Sequence, residues 1–137
     1  MKAIHADTSA CLPLFRADVF TPQARRLRAA GEWIISDLAV LEFTSRLSLG
    51  TRRGGLSPAE AQDLCAAFDV WRRTLPEARL EPDDVRWAAA AVRRFDTALQ
   101  TVDALHLAAA LRLGATLLTF DGQLAAAARV HRVDVLA

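Results

Sequence analysis

Four acidic side chains stand where an α/β sequence can bring them together for chemistry. Asp7 follows directly after the first apolar segment, and Asp121 follows directly after the apolar run 115–120. If these segments are parallel neighbouring strands, both carboxylates reach the same edge of the sheet. Asp103 precedes another apolar run, and Glu42 lies on a largely apolar helical stripe. A carboxylate on such a stripe is unfavourable unless it is paired or binds a metal.

Carboxylate groups of this kind suit a hard divalent cation. Mg²⁺ prefers oxygen ligands and often combines a few carboxylates with water and substrate phosphate. Crowded carboxylates without a cation repel one another, and some of their pKa values rise. A bound cation relieves that repulsion and also bridges to a polyanion. The four acids together therefore indicate a site for a divalent cation that can also bind a polyanion such as RNA.

Each acid also has an ordinary structural explanation. Asp7 can simply end a strand, whereas Asp103 and Asp121 are plausible helix N-caps. Glu42 and Arg46 have the spacing of a common surface pair on a helix. The functional interpretation therefore depends on the four acids as a group.

Short apolar strands alternate with helices along the chain. Strands are predicted at 2–6, 33–35, 78–80, 115–120 and 133–136. Helices are predicted at 22–30, from Ser36 or Asp37 to about 49, after the capping box at Ser57, from Pro82, at 103–113 and at 121–129. This alternation predicts an α/β fold in which a parallel sheet is covered by helices on both sides.

Two of these helices have a predicted core face. The helix after Ser57 places five apolar residues together: Ala61, Leu64, Cys65, Phe68 and Trp71. The helix from Pro82 places another five together: Val85, Ala88, Ala89, Val92 and Phe95. Trp87 lies off the second stripe, so we expect it to be exposed and available for an interface.

The segment 50–55 is predicted to be the flexible loop of the chain, because it contains three glycines. It also contains Arg52 and Arg53, which are the local candidates for contact with an RNA backbone or a protein partner. A solvated loop is the alternative explanation for both arginines.

Length and composition favour an ordinary cytoplasmic domain. The 137 residues, 53% of them hydrophobic, suffice for one domain with a core, which we expect to span residues 1–137. The formal charge of +1 neither favours nor excludes nucleic acid. Two cysteines are too few for a disulfide scaffold, and no run of about 18 apolar residues predicts a membrane span.

Other phosphate-handling enzymes with acids at strand ends fit the sequence poorly. A haloacid-dehalogenase site needs a second Asp two residues after the first, where Ser9 stands. A receiver domain needs a late lysine, and the only lysine is Lys2. Neither GxxxxGK(S/T) nor GxGxxG occurs, so the usual nucleotide-binding loops are absent as well.

With these acids and their flanking residues, the chain resembles PIN-domain nucleases, and in particular the VapC-type toxins of bacterial toxin–antitoxin pairs. The resemblance covers nearly the whole length. It is carried by Ala6-Asp7-Thr8-Ser9-Ala10, by Leu41-Glu42, by Asp103-Ala104-Leu105-His106-Leu107-Ala108-Ala109-Ala110 and by Gly114-Ala115-Thr116-Leu117-Leu118-Thr119-Phe120-Asp121. The last two motifs place their acids 18 residues apart and are the more specific pair.

The resemblance implies a three-layer α/β/α domain with a central parallel sheet of four or five short strands. It implies that Asp7, Glu42, Asp103 and Asp121 bind Mg²⁺ or Mn²⁺ and that the protein cleaves RNA endonucleolytically. It also implies a homodimer that is neutralised by a small antitoxin protein. Many family members carry a basic residue shortly before the third acid, whereas this chain has Leu-Gln-Thr-Val at 99–102.

Polar neighbours of the acids are candidates for supporting roles. Thr8 and Ser9 could ligate or orient a water, and Thr119 could hydrogen-bond the carboxylate of Asp121. Local turn and cap bonding is the alternative for all three hydroxyls. His106 lies one helical turn after Asp103 and could face the site, although a packed or surface role is the alternative. His5 and His131 are expected to be structural.

Two functional alternatives remain open at this point. The domain could bind RNA or an antitoxin without cutting, or it could be a housekeeping nuclease rather than a toxin. The sequence does not separate these alternatives, since all of them keep the same fold.

Overall fold

Five short parallel strands form one central sheet in the computed structural model, which describes residues 2–136. The strands are β1 (Ile4–Ala6), β2 (Trp33–Ser36), β3 (Glu77–Ala78), β4 (Thr116–Leu118) and β5 (Val135–Leu136). Their order across the sheet is β3-β2-β1-β4-β5. Every pairing between neighbouring strands is parallel. The predicted parallel sheet is confirmed, and it has five strands.

Helices connect the strands, and seven of them lie within residues 2–136. They are α1 (Thr8–Cys11), α2 (Thr21–Ala30), α3 (Asp37–Arg52), α4 (Pro58–Arg72), α5 (Pro82–Val92), α6 (Thr101–Leu113) and α7 (Gly122–Val130). A 3-10 turn at Leu12–Leu14 follows α1. None of these helices combines the length and apolarity that crossing a membrane requires.

The helix ends show the local chemistry that the sequence predicts. The Ser36 hydroxyl accepts a hydrogen bond from the Ala39 N–H and begins α3. Ser57 and Glu60 form a reciprocal capping box at the start of α4. Gly114 ends α6 at a φ of 60°, in the left-handed region that favours glycine. These caps fix where each helix begins or ends.

Two apolar clusters lie on opposite faces of the sheet. Consecutive residues of a strand point to opposite faces. Accordingly, Leu118 belongs to a cluster with Phe43 of α3 and Phe68 of α4. Its neighbour Leu117 belongs to a second cluster with Leu107 of α6 and Leu124 of α7. The sheet is thus enclosed between two helical layers, which confirms the three-layer α/β/α arrangement.

The predicted core face of α5 was right at Ala88 and wrong at its larger residues. Val85 is 51% exposed and Phe95 is 86% exposed, whereas Ala88 and Ala91 are buried. The run of four alanines at 88–91 makes α5 apolar on several sides, so the position of the larger residues does not determine which side faces inward. Small residues pack inward here and allow α5 to approach α6 closely. The corresponding prediction for α4 was right, since Phe68 and its stripe pack in the first cluster.

The segment 50–55 was only partly predicted. Helix α3 continues through Arg52, and Arg53 is its C-cap residue. Helix propensity and the capping N–H of Arg53, which donates to Leu49 and Thr51 carbonyls, extend the helix beyond the predicted end. Residues 53–57, with Gly54 at a φ of 79°, form the turn before α4.

Candidate active site

The carboxyl edge of the sheet brings Asp7 and Asp121 to neighbouring strands. Asp7 directly follows β1, and β1 pairs with β4 so that Ala6 lies opposite Leu118. The Asp7 N–H donates to the Leu118 carbonyl at 3.1 Å. Asp121 lies three residues beyond Leu118. The prediction that strand direction places both acids at one edge is therefore consistent with the observed register.

The Asp7 carboxylate is buried and held by three donors. The Ser9 hydroxyl donates to Oδ1 at 2.6 Å, and the Ala10 N–H donates to the same oxygen at 3.2 Å. The Thr119 hydroxyl donates to Oδ2 at 2.6 Å. Burial raises the pKa of Asp7, and the hydrogen bonds from Ser9 and Thr119 act against that rise. The side chain is therefore fixed in place by its neighbours.

Thr119 acts on a different acid from the one predicted. Its hydroxyl donates to Asp7 and accepts from the backbone N–H of Asp121 at 3.0 Å, so the predicted bond to the Asp121 carboxylate was wrong. A hydroxyl has one hydrogen to donate, and here the nearer carboxylate takes it. Ser9 makes a matching link, since its oxygen accepts from the Phe120 N–H at 2.9 Å. These bonds tie the end of β1 to the segment after β4.

Glu42 projects from α3 toward a threonine and a histidine. Its Oε1 accepts from the Thr8 hydroxyl at 2.8 Å and lies 2.6 Å from Nε2 of His106. Burial raises the pKa of Glu42, but the hydrogen bonds from His106 and Thr8 outweigh burial, so the net shift is downward. The charge of Arg46 adds a smaller lowering of that pKa. Thr8, one of the three hydroxyl residues predicted to have supporting roles, therefore hydrogen-bonds the carboxylate of Glu42.

Asp103 lies in the first turn of α6 and is surrounded by the other acids. Burial raises its pKa, and repulsion from Asp121 and then Glu42 raises it further, to about 6. Asp7 contributes a smaller increase, while His106 acts in the opposite direction. The four predicted acids are therefore electrostatic neighbours.

The structural explanations for these acids hold in part. Asp121 caps α7, because its Oδ1 accepts from the N–H groups of Gln123 and Leu124. Asp7 caps the short helix α1. Asp103 is not a cap, since the N-cap residue of α6 is Gln100. Two of the acids therefore combine a capping role with their position at the site.

Several carboxylate oxygens at this edge keep lone pairs without a protein donor. Within residues 2–136, this holds for Glu42 Oε2, Asp121 Oδ2 and both oxygens of Asp103. No lysine or arginine in that range forms an ion pair with any of the four acids.

The oxygens fit a hard divalent cation that retains water rather than a closed cage. In the described part of the chain, no three His, Cys, Asp or Glu side chains converge closely enough to hold an ion by themselves. Mg²⁺ usually keeps several waters and takes only a few carboxylates. The four carboxylates repel one another and leave several oxygens without a donor from the described residues, so they match that requirement.

Histidines contribute more than the sequence analysis expected. His106 is buried and contacts Glu42, so it belongs to the site. His5 is also buried, and its Nε2 lies 3.3 Å from Nδ1 of His106. Burial lowers the pKa of His5 to about 3. The one-turn spacing from Asp103 was the available signal for His106, whereas nothing in the sequence links His5 to it.

The remaining candidates lie apart from the acids. Arg52 and Arg53 are exposed at the end of α3, and within residues 2–136 neither bonds to the four acids. Trp87 was expected to be exposed, but it is half-buried and its ring meets that of His131 at a centroid distance of 5.1 Å. Its packing against the second cluster accounts for the difference.

The comparisons agree with this fold. The family model of the PIN domain matches residues 4–130. No curated protein sequence matches the chain significantly. Among solved structures, Mycobacterium tuberculosis VapC20, a sarcin-ricin loop cleaving toxin, is 26% identical with a TM-score of 0.71, covering 90% of this chain and 94% of that one.

Two further structures share the fold at lower identity. FitAcB from Neisseria gonorrhoeae is 15% identical with a TM-score of 0.77, covering 98% of this chain and 96% of its own. DNA-bound VapBC from Salmonella typhimurium is 12% identical with a TM-score of 0.72, covering 99% and 98%. Likeness at this level concerns the fold alone.

Proposed function

The chain belongs to the PIN-domain family, and on that premise we propose that it is a divalent-metal-dependent endoribonuclease, the toxin of a type II toxin–antitoxin pair. The observation that carries the proposal is that the acids grouped around Asp103 have no lysine or arginine partner within residues 2–136. Burial and three neighbouring acids raise the pKa of Asp103 to about 6. A divalent cation is the ligand that such a group of acids favours.

In the proposed site, Asp7, Glu42, Asp103 and Asp121 hold Mg²⁺ or Mn²⁺. When bound, the ion lowers the pKa of a water and polarises the phosphate oxygens. Ser9 and Thr119 fix the Asp7 carboxylate, whereas Thr8 and His106 fix Glu42. These bonds prepare the acids before the ion arrives, so less side-chain freedom is lost on binding.

RNA binding is proposed to depend on the ion and on local charge. A net charge of +1 supplies no general attraction for a polyanion. A cation among the acids offers a direct contact for the phosphate that is cut. Arg52 and Arg53, exposed at the end of α3, are the proposed additional contacts to RNA or to a protein partner.

We propose a small antitoxin as protein partner, a homodimer as the assembly and the cytoplasm as the location. Solved structures that share the fold include VapBC of Salmonella typhimurium bound to DNA and a toxin–antitoxin complex from Klebsiella pneumoniae. These relatives support the partner class.

The alternative is a PIN-like module that binds RNA or an antitoxin without cutting. The observation in its favour is that no three metal-ligating side chains converge within residues 2–136. A housekeeping nuclease would have the same site as the toxin and differ only in its RNA and its partner.

The test is cleavage of a mixed RNA pool by purified protein in Mg²⁺, in Mn²⁺ and in EDTA. Asp103→Ala is expected to lower the cleavage rate by about 100-fold or more, corresponding to roughly 3 kcal/mol of lost stabilisation of the transition state. Asp83→Ala is the matched control, because Asp83 is an exposed acid of α5 paired with Arg86. It is expected to cut like the native protein.

The outcomes separate the two functions. Metal-dependent cutting that Asp103→Ala loses, with its fold retained by circular dichroism, supports the nuclease and excludes a contaminating enzyme. Equal cutting by both proteins would contradict the carboxylate site. Retained RNA binding with no cutting by the native protein in either metal would favour the non-cleaving module.

A further inference from the structure

Two buried histidines form a chain of contacts that ends on Glu42. His5 is 0% exposed and His106 is 1% exposed. His5 Nε2 lies 3.3 Å from His106 Nδ1, and His106 Nε2 lies 2.6 Å from Glu42 Oε1. The chain joins the central strand β1 to helices α6 and α3. Each contact involves a polar atom inside the protein, where an unsatisfied group is unfavourable.

The position of His5 is one that an apolar residue would normally fill. Its neighbours Ile4 and Ala6 face the first cluster, so His5 faces the opposite side, beside Leu117 and toward α6. An aliphatic side chain in the middle of β1 would pack there without any need for a hydrogen bond. The polar side chain is therefore explained by its contact with His106 rather than by packing.

The direction of the hydrogen bonds follows from Glu42. An ionised carboxylate only accepts, so Nε2 of His106 carries the hydrogen. In a neutral imidazole the other nitrogen is then an acceptor, so Nδ1 of His106 accepts from Nε2–H of His5. This leaves Nδ1 of His5 unprotonated.

The unpaired atom of His5 agrees with this assignment. Nδ1 of His5 is buried and has no hydrogen-bond partner within residues 2–136. If the hydrogen bond ran in the opposite direction, from Nδ1–H of His106 to Nε2 of His5, a neutral His5 would carry its hydrogen on Nδ1 and bury an unpaired N–H. Orphaned buried N–H groups are rarer than under-satisfied acceptors. The geometry therefore places a hydrogen on Nε2 of both histidines.

We propose that His106 is a positioning residue that holds Glu42 in its ligand orientation, and that His5 holds the His106 ring in place by donating to its Nδ1. This inference rests on the proposed function. Thr8 donates to the same oxygen as His106, so the two donors occupy Oε1, and Oε2 remains without a donor from residues 2–136. Groups that orient a metal ligand in this way change metal affinity by about 10- to 100-fold when they are removed.

The test compares histidine variants by Mn²⁺ affinity, measured from the free-ion electron paramagnetic resonance signal. His106→Leu is expected to weaken Mn²⁺ binding by about 10- to 100-fold. His106→Gln, whose amide can still donate, is expected to recover most of the affinity. His5→Leu removes the donor to Nδ1 and is expected to give a smaller loss. His131→Leu is the matched control, since His131 packs on Trp87 away from Glu42.

Nitrogen NMR of the histidine rings gives a readout that a purely structural role would not move. The native protein is expected to show Nε2–H tautomers at both His5 and His106. In folded His5→Leu, His106 is expected to keep its Nε2–H tautomer, because Glu42 still accepts from Nε2, while its Nδ1 resonance shifts because the hydrogen bond from His5 is lost.

Several results would overturn the inference. An Nδ1–H tautomer at native His106 would do so, and so would native Mn²⁺ affinity in a folded His106→Leu protein or equal losses in His106→Leu and His106→Gln. A native protein that binds no Mn²⁺ would overturn the proposed function instead, and the nitrogen spectrum would then still decide whether His106 donates to Glu42.

Discussion

The two ends of helix α6 place charged side chains in opposite surroundings: within residues 2–136, one end is ion-paired and the other is not. In its last turn, Arg112 donates to both oxygens of Asp84, from Nε at 2.9 Å and from a terminal nitrogen at 3.0 Å, and also to the Arg79 carbonyl at 2.8 Å. In its first turn, Asp103 has no ion-pair partner within residues 2–136 and is repelled by three other acids.

The pKa values of the two acids move in opposite directions. Burial raises the pKa of Asp84, but the hydrogen bonds from Arg112 outweigh it and the net shift is downward. Burial and repulsion raise the pKa of Asp103 to about 6. A fold can therefore neutralise a buried acid with its own arginine, as it does at Asp84. Where it does not, the charge is available for a ligand from outside the chain.

The largest effect on stability is expected at the Asp84–Arg112 pair, where α6 ends. Asp84→Asn removes the charged partner of Arg112 and weakens the capping bond to the Glu81 N–H. Since Arg112 is one-third exposed and can be rehydrated, we expect the free energy of unfolding at pH 7.5 to fall by about 2–3 kcal/mol rather than more. Urea denaturation measures this change.

The control for that change is Asp83→Asn, one residue earlier on α5. Asp83 is an exposed acid in a surface pair with Arg86, so its loss is expected to change stability by less than about 0.5 kcal/mol. Equal losses in both variants would mean that Asp84 contributes no more than a surface acid.

At Asp103, in the first turn of α6, the same acid-to-amide substitution is expected to stabilise the protein. Asp103 binds its proton more tightly when folded, so its ionisation makes the native state less stable as pH rises from about 4 to about 6. Asp103→Asn removes that loss. In EDTA at pH 7.5 we expect a gain of about 1–2 kcal/mol, which reflects partial exposure of the side chain, and no gain below pH 4.

Urea denaturation at several pH values in EDTA decides this point. A variant that is less stable than the native protein at pH 7.5 would show that Asp103 is held by favourable contacts, like Asp84. The two ends of α6 would then no longer differ.

A smaller effect is expected when the positive charge at position 112 is kept but the hydrogen-bond geometry of the guanidinium is lost. Arg112→Lys retains the positive charge but cannot form two parallel bonds to Asp84 and a third to the Arg79 carbonyl. We expect a loss of about 1 kcal/mol in urea denaturation. A loss as large as that of Asp84→Asn would indicate that geometry, rather than charge, dominates this pair.

The part of the site that follows from strand direction was predictable from the sequence. Asp7 and Asp121 follow apolar strands, and parallel pairing alone places them at one edge. Glu42 stood out as a carboxylate on an apolar helical stripe, but only the family resemblance assigned it to the site, since its helix gives no local sign of which residues it meets. The contact between His106 and Glu42 spans 64 positions in sequence and becomes visible only in the folded chain.

Choices between close alternatives were not predictable. Thr119 lies two residues before Asp121, yet its hydroxyl donates to Asp7, because the pairing of β1 with β4 brings that carboxylate nearer. Helix α5 buries Ala88 and Ala91 rather than Val85 and Phe95, because close approach to α6 favours small side chains. Both outcomes depend on packing between elements that lie far apart in sequence.

The central claim is that Asp103 and the acids around it have no lysine or arginine ion-pair partner within residues 2–136 and obtain their counter-charge from a divalent cation. The most direct measurement is the titration of the Asp103 side-chain carboxyl by carbon NMR, in EDTA and then in saturating Mg²⁺, with Asp84 followed as an internal reference. We expect a pKa for Asp103 near 6 in EDTA and below about 4 in Mg²⁺, since a bound cation favours the ionised form, with the pKa of Asp84 unchanged. An Asp103 pKa that stays near 6 in saturating Mg²⁺ would contradict the account.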